Sequence, residues 1–290
     1  MREIIHKDIL GRVQLLSERF QQSQPFKHLV LDDFLDPSFC RSLIGEFPPY
    51  DEKKFLNEHG HRGKAHQEKV RDLGPHFSQL DDCVRSASFL SFMSSVTGIA
   101  NLMYDPSYFG GGTHENLEDM ELDPHVDFNW HPETGLYRRV NFLLYLNPEW
   151  DESWGGALEL HTDPWLPRDQ DQIKIVLPLM NRCVIFETSE KSWHGFQKIE
   201  FPKDKILWSR RSLALYLYTQ EPPECGIIPS DLTVFVDRPL PNYFKSGHLL
   251  SEKDVALLER LITRRDWKLK YLYDRSLFWA REALRLKDKS

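Results

Sequence analysis

Read from its sequence, the chain is α+β and mainly β: a double-stranded β-helix (jelly roll) core, with helices before it and a helical extension after it. From about residue 100 to 219, short strand-like runs follow one another, broken by Gly110-Gly111-Gly112, Gly155-Gly156 and several prolines, with no helical pattern between them. Strands without crossover helices bury their apolar faces best in two packed antiparallel sheets, not in one parallel sheet. Helical spacing of apolar residues appears outside that run, in an N-terminal part (1–100) and again beyond residue 251.

In chain order, Ile5, Ile9, Val13, Leu16 and Phe20 predict an amphipathic helix that ends at the polar run 21–24 and Pro25. FKHLVLDDFLD has a strand core, and Asp36-Pro37 then opens a helix over PSFCRSLIGEF, with proline in its first turn. Residues 50–76 are polar without apolar period and read as a long surface loop, of the kind that forms lids or binding elements. RRVNFLLYLN, GALELHT, DQIKIVLPL, NRCVIFET and RRSLALYLYT are strands by alternation or by continuous apolar character. After Pro222-Pro223, the connector VDRPLPNYF leads to Ser251, whose spacing to Asp254 fits a capping box. Leu258, Leu261, Ile262, Leu269 and Leu272 keep a helical period into a second segment with Phe278, Trp279 and Leu286. The favoured reading of this tail is a helical hairpin that packs on the β-domain or pairs two copies of the chain as a homodimer. With 11 Lys+Arg against 7 Asp+Glu in residues 251–290, a basic face that docks on a membrane is the lesser alternative. The division is a domain over 1–222 and an extension over 223–290.

Composition narrows the function. At 290 residues, 40% hydrophobic and 28% charged, the chain is globular in type. Its net charge of -7 gives no general attraction to nucleic acid, so no nucleic-acid partner is expected. No run approaches the roughly 20 apolar residues of a membrane span. The opening MREIIHKDILGRV lacks the apolar core of a secretory signal. Cys40, Cys83, Cys183 and Cys225 are widely spaced with no CxxC, which fits a reducing, cytoplasmic setting.

The chemistry is concentrated in DPHVDFNW. On a strand, His125 and Asp127 point to one face, so an imidazole and a carboxylate can converge on one ion. His194, in SWHGF, follows after several strands that could close a barrel. Two histidines and a carboxylate form the facial triad that suits Fe(II) and leaves positions open for substrate and dioxygen, whereas no HExxH suggests a zinc hydrolase. A chelating 2-oxoglutarate would fill two of those positions and needs a cation for its far carboxylate. Arg210 supplies one on the strand after His194, with Ser212 on the same face; two arginines in an apolar strand are costly to bury without anions.

These pieces resemble the iron(II)- and 2-oxoglutarate-dependent dioxygenases, and among them the prolyl 4-hydroxylase-like group. The resemblance rests on PFKHLVLDDFLDP, HVDFN, RRVNFLLYLNPEWDESWGGALEL, WHGF and RRSLALYLY, in the family's order over roughly residues 25–220. It implies that His125, Asp127 and His194 hold the iron, and that Arg210 grips the remote carboxylate of 2-oxoglutarate, with Arg211 as second choice. It also implies that Tyr145 donates to that carboxylate and that Leu158 lines the cosubstrate pocket. Asn141 and Leu143 share a strand face with Tyr145 and are expected to line it too. An upstream tyrosine of relatives has two candidates here, Tyr104 and Tyr108. The implied cofactors are Fe(II), 2-oxoglutarate and O2, with ascorbate a candidate reductant.

Taken singly, several of these residues have plainer readings. His161 reads as a strand-end histidine, and His59, His61 and His66 as members of a solvated loop. Trp193 reads as wall packing that could also shield the metal. The expected reaction is hydroxylation of an unactivated C–H bond with decarboxylation of 2-oxoglutarate to succinate and CO2. The substrate is an unidentified peptidyl or organic molecule: a prolyl residue or proline, or else a small metabolite or glycan. Glu115, Glu118, Asp119, Glu121 and Asp123 would favour a cationic substrate or, more simply, solvate a loop. A non-catalytic metal- and 2-oxoglutarate-binding barrel, or a cupin-like metal-dependent isomerase, is the alternative.

Overall fold

The computed structural model describes residues 1, 3–49, 51, 64–205, 208–223, 229–236 and 243–287. Helices α1 (Lys7–Leu10), α2 (Val13–Gln22), α3 (Pro37–Glu46), α4 (Pro75–Val84) and α5 (Ala87–Thr97) form an outer layer. The single helix expected at the start is split at Gly11 and Arg12; α2 still buries Leu16 and Phe20, four residues apart on one face. Asp36 caps α3 as expected, accepting from the Ser38 and Phe39 amides. Ser86 caps α5, and Gly98 closes it at φ +75°, a left-handed position that favours glycine.

The twelve strands are β1 (His28–Leu31), β2 (Ala65–Gln67), β3 (Met103–Tyr104), β4 (Gly112–Asn116), β5 (Leu122–Val126), β6 (Tyr137–Tyr145), β7 (Leu158–His161), β8 (Ile173–Val176), β9 (Cys183–Glu187), β10 (His194–Phe196), β11 (Arg210–Thr219) and β12 (Val234–Phe235). They form two antiparallel sheets. The larger runs β1-β9-β6-β11-β4-β2, with β3 also on β11; the smaller runs β12-β5-β10-β7-β8. All six strand segments read from the sequence, FKHLVLDDFLD as β1 included, are present.

Period-2 alternation separates two cores. Val140, Phe142 and Leu144 of β6 and Leu213, Leu215 and Leu217 of β11 face the helices and pack with Phe20, Phe34, Phe77 and Phe89. Each such buried side chain contributes about 1.5–3 kcal/mol, which fixes the larger sheet against the helical layer. The opposite faces of β6 and β9 present Tyr145, Val184 and Phe186 to Leu158, Leu160 and Val176 of the smaller sheet. This inter-sheet space is the interior of the jelly roll.

Two expectations are corrected. The described end of the polar stretch, from residue 64, is ordered: β2, a 3-10 turn at Val70–Leu73 and the start of α4. A three-residue edge strand is held by backbone pairing to β4 and needs no apolar alternation, so its sequence carries no signal. The tail is one 36-residue helix, α6 (Glu252–Lys287), not a hairpin, because no glycine or proline interrupts it. Its capping box is as expected, with the Asp254 amide 3.3 Å from Ser251 Oγ and the Ser251 amide 2.8 Å from Asp254 Oδ2. His59, His61, Cys225 and residues 237–242 of the connector lie outside the described residues. Cys40, Cys83 and Cys183 are free and buried. Among the described residues, no helix is long and apolar enough to cross a membrane.

Candidate metal and cosubstrate site

β5 and β10 are adjacent and antiparallel, and their register sets His125 directly opposite His194, ring centroids 4.3 Å apart. Asp127 follows β5. Its Oδ1 lies 3.7 Å from His125 Nε2 and its Oδ2 3.4 Å from His194 Nε2. Ligand atoms of the three residues all fall within 4.8 Å of one another. The Nδ1 atoms are tied to backbone carbonyls, His125 to Asp123 at 2.9 Å and His194 to Ser192 at 2.8 Å. A proton on Nδ1 leaves each Nε2 lone pair facing the common point, as a metal ligand requires. Burial and the neighbouring His125 push His194 down to about 4, so it is neutral at pH 7.

Burial alone would raise the Asp127 carboxyl, but Arg138 and the two histidines outweigh it and hold the carboxyl well below the usual range. Arg138 Nη2 donates to Asp127 Oδ2 at 3.0 Å and Asn141 Nδ2 donates to the same oxygen at 2.7 Å. Arg138 is 1% exposed and lies against the Tyr216 ring, 3.3 Å from its centroid, while its Nη1 has no partner. It faces inward because β6 carries one extra residue: Leu217 pairs with Val140 but Tyr218 pairs with Arg138, skipping Arg139. Nothing in a run of two arginines signals that bulge, so the role of Arg138 was not legible.

The second cation is Arg210, 5% exposed on the inner face of β11. Its Nε donates to the Gly156 carbonyl at 2.6 Å, its Nη2 to Tyr145 Oη at 3.2 Å, and it stacks 4.3 Å from the Phe196 centroid. Among the described residues it has no carboxylate partner. Leaving a guanidinium buried and unpaired costs several kcal/mol, which an incoming carboxylate would repay. Arg211, the second choice, points the other way, its Nε 3.3 Å from Glu115 Oε1. Leu158 packs with Tyr145, and Leu143 packs against the same cluster. Ser212 is buried, paired with Tyr145 on one side and His114 on the other. Asn141 shares this face, but its amide is committed to Asp127.

Neither tyrosine candidate reaches the site: Tyr104 and Tyr108 both donate to Asp81 of α4, in the helical layer. In their place, His114 stands on the inner face beside Ser212, with Lys64 Nζ 3.4 Å from its Nε2. Sequence reading missed this pair because β2 and β4 lack strand character. His161 is on the outer face of β7, 2.7 Å from Asp171 Oδ2. Trp193 packs with Val126 and Val236.

A sequence model of the 2OG-Fe(II) oxygenase superfamily matches residues 112–218. Prolyl 3-hydroxylase OGFOD1 of Mus musculus is 28% identical over 177 residues, covering 60% of this chain and 30% of that protein. The Xenopus laevis protein of the same name is 30% identical over 95 residues, 29% of this chain and 19% of its own length. The chain thus spans less than a third of the length of these curated relatives. Among solved structures, a prolyl hydroxylase in complex with a hypoxia inducible factor peptide fragment, from Trichoplax adhaerens, aligns with a TM-score of 0.50 at 17% identity, over 74% of this chain and 94% of the other. That likeness bears on the fold, while the matched segment 112–218 begins with β4 and ends in β11, so that it contains His125, Asp127, His194 and Arg210; over that segment the chain is similar to the 2OG-Fe(II) oxygenase superfamily.

Proposed function

We propose that the protein is an Fe(II)- and 2-oxoglutarate-dependent oxygenase that hydroxylates proline, free or within a peptide. The observation that carries this reading is the buried Arg210, which lacks a carboxylate partner and lies on the same barrel interior as a preorganised His-Asp-His triad. The donor set fits Fe(II): two neutral imidazoles and one carboxylate, with open positions. Bound there, iron and 2-oxoglutarate would supply the oxidising power, splitting dioxygen so that one atom enters a C–H bond and the other leaves in succinate.

The chain's own residues do the rest. Asp123 and Ser192 carbonyls fix the ligand tautomers, and Arg138 and Asn141 occupy one oxygen of Asp127, so that the other faces the metal. Arg210 and Tyr145 grip the remote carboxylate, while Leu158, Leu143 and Ser212 wall the pocket and exclude water. Phe128 and Tyr216 stack on the Arg138 guanidinium and hold it against Asp127. The prolyl hydroxylases among the relatives support the substrate class.

The decisive experiment is anaerobic. Fe(II)-loaded protein given 2-oxoglutarate should develop the visible chelate charge-transfer band, absent in His194→Ala, and, once dioxygen is admitted, should release succinate faster with a proline-containing peptide or L-proline. A folded, iron-loaded protein without the band would refute the cosubstrate assignment. Residues 1–222 as the oxygenase unit, and a cytoplasmic location, belong to the same proposal. A homodimer through α6 is supported by Val255, Ile262 and Leu269, exposed at seven-residue spacing, with Leu272 beside them. Sedimentation of the chain against an Ile262→Glu, Leu269→Glu variant tests it.

A further inference from the structure

The Arg210 guanidinium is held by a backbone corner outside its own sheet. Gly155 and Gly156 lie between the 3-10 turn Glu152–Trp154 and β7, and both sit at φ +64°, a left-handed conformation that favours glycine. Their carbonyls take two different donors. Gly155 O accepts from Trp150 Nε1 at 3.0 Å, and Gly156 O accepts from Arg210 Nε at 2.6 Å. The corner is tied in turn to the segment that follows β10: the Gly156 amide donates to the Gln197 carbonyl at 3.2 Å, and Gly155 forms a β-bridge with Ile199.

Space as well as conformation requires glycine at position 156. A Cβ there would lie 2.8 Å from Trp150 Cζ2, 3.0 Å from Ile199 Cγ1 and 3.4 Å from Arg210 Cδ. Gly156 is thus a thin spacer between the Trp150 ring and the Arg210 stem. Trp150 is clamped in its turn, 8% exposed, with the Trp154 and Phe201 rings edge-on to it at 5.8 and 5.5 Å. The same buried cluster contains Phe196, and the Arg210 guanidinium lies over that ring, 4.3 Å from its centroid.

Phe196 also sets a length. It stands two residues from His194 on one face of β10, so a strand step of about 7 Å separates the metal ligand from the ring that carries the guanidinium. Gly156 O holds Nε and Tyr145 Oη holds Nη2, which opposes sliding of the guanidinium over Phe196 toward the triad or away from it. A pocket anchored at both ends fits one chain length best.

We infer that Trp150 and the Gly155-Gly156 corner are positioning residues for Arg210 and that, through it, they restrict the cosubstrate to a five-carbon 2-oxo diacid. The inference rests on the oxygenase reading above. Oxaloacetate, one methylene shorter, falls short of the fixed guanidinium, and 2-oxoadipate, one methylene longer, is compressed against it.

The test uses two variants. Trp150→Phe keeps an aromatic ring in the cluster but leaves the Gly155 carbonyl without its donor, and Gly156→Ala places a Cβ that must displace Trp150 or Arg210. In metal-free, isotope-labelled protein, NMR follows exchange of the Arg210 Nε proton, identified by its absence in Arg210→Met. It should exchange slowly in wild type and about tenfold or more faster in Trp150→Phe. In anaerobic, Fe(II)-loaded protein, the chelate band is titrated with the three acids. Wild type should prefer 2-oxoglutarate about tenfold or more over each of the others. Trp150→Phe should load Fe(II) as wild type does, bind 2-oxoglutarate about three- to tenfold more weakly, and narrow the preference to within about threefold. Gly156→Ala, where it folds, should go further in the same direction. A wild type that binds the three acids equally would overturn the inference. So would a Trp150→Phe variant that weakens all three alike, the mark of a merely structural role, or one whose affinities and Nε exchange match wild type. Absence of the chelate band from wild type would strike the oxygenase reading instead, and the Nε exchange rates would still decide whether the corner holds Arg210.

Discussion

Replacing Arg210 by methionine should separate cosubstrate binding from folding. The guanidinium has five N–H donors, of which Gly156 O and Tyr145 Oη occupy two, so a planar pair remains for a carboxylate. Two charge-assisted hydrogen bonds are worth about 1.5–3 kcal/mol each, or about 3–6 kcal/mol together. Water entering the space left by the shorter charge-free side chain recovers part of this, so a weakening of about 100-fold in 2-oxoglutarate affinity is expected. The effect on the unliganded protein has a different balance. Methionine forfeits two ordinary hydrogen bonds, about 1 kcal/mol each, but removes a buried cation with no carboxylate beside it. Arg210→Met should therefore melt near wild type without ligand. With 2-oxoglutarate at 100 times the wild-type Kd, wild type should gain about 2.7 kcal/mol and the variant almost nothing. Anaerobic titration of the chelate band and melting curves with and without 2-oxoglutarate measure both. Binding within about threefold of wild type would refute the reasoning, and so would a loss of more than about 3 kcal/mol in the unliganded variant, which would make Arg210 a structural residue.

Arg211→Met, by contrast, should leave 2-oxoglutarate affinity within about twofold, because that side chain faces Glu115; a loss like that of Arg210→Met would exchange their roles. Gly112 sits at φ +81°, and a Cβ there would lie 2.1 Å from the Gln67 carbonyl oxygen. Gly112→Ala should displace β2 or cost about 2–4 kcal/mol in urea denaturation, and an unaltered midpoint would show that β2 yields freely. The metal-free protein should lose stability as pH falls from about 6.5 to 4. There the unfolded chain takes up a proton that buried His194 refuses, worth at most about 3 kcal/mol, and His194→Gln should flatten that slope. A wild-type midpoint independent of pH in that window would contradict it.

What was legible in the sequence is what local pattern encodes. The long alternating strands β6 and β11 declare their two faces, and His125 and Asp127 at i, i+2 declare a shared one, whereas His194 as their companion and Arg210 ahead of Arg211 leaned on the family resemblance. Unread features depend on pairing partners. β2 and β4 are short, polar and held by backbone bonds, so Lys64 and His114 had no pattern to announce them. Tyr104 and Tyr108 could not be told from site tyrosines, because their partner Asp81 is more than twenty residues away on a helix. The helix in place of a hairpin reflects continuous propensity without a stop signal, a negative feature that apolar spacing alone does not weigh.

The extra residue in β6 has a consequence for how such sites tolerate insertions and deletions. Straight pairing from Asn141 would turn residue 139 inward and residue 138 outward; the bulge reverses this. Both positions are arginine, so loss of either codon would straighten the strand and still deliver a guanidinium next to Asn141. The outer contacts of Arg139 to Glu187 and Thr219 would be forfeited, and the inner charge kept. The doubled arginine thus makes the most register-sensitive charge of the barrel robust to a one-residue length change, at the expense of a surface ion pair worth about 1 kcal/mol or less.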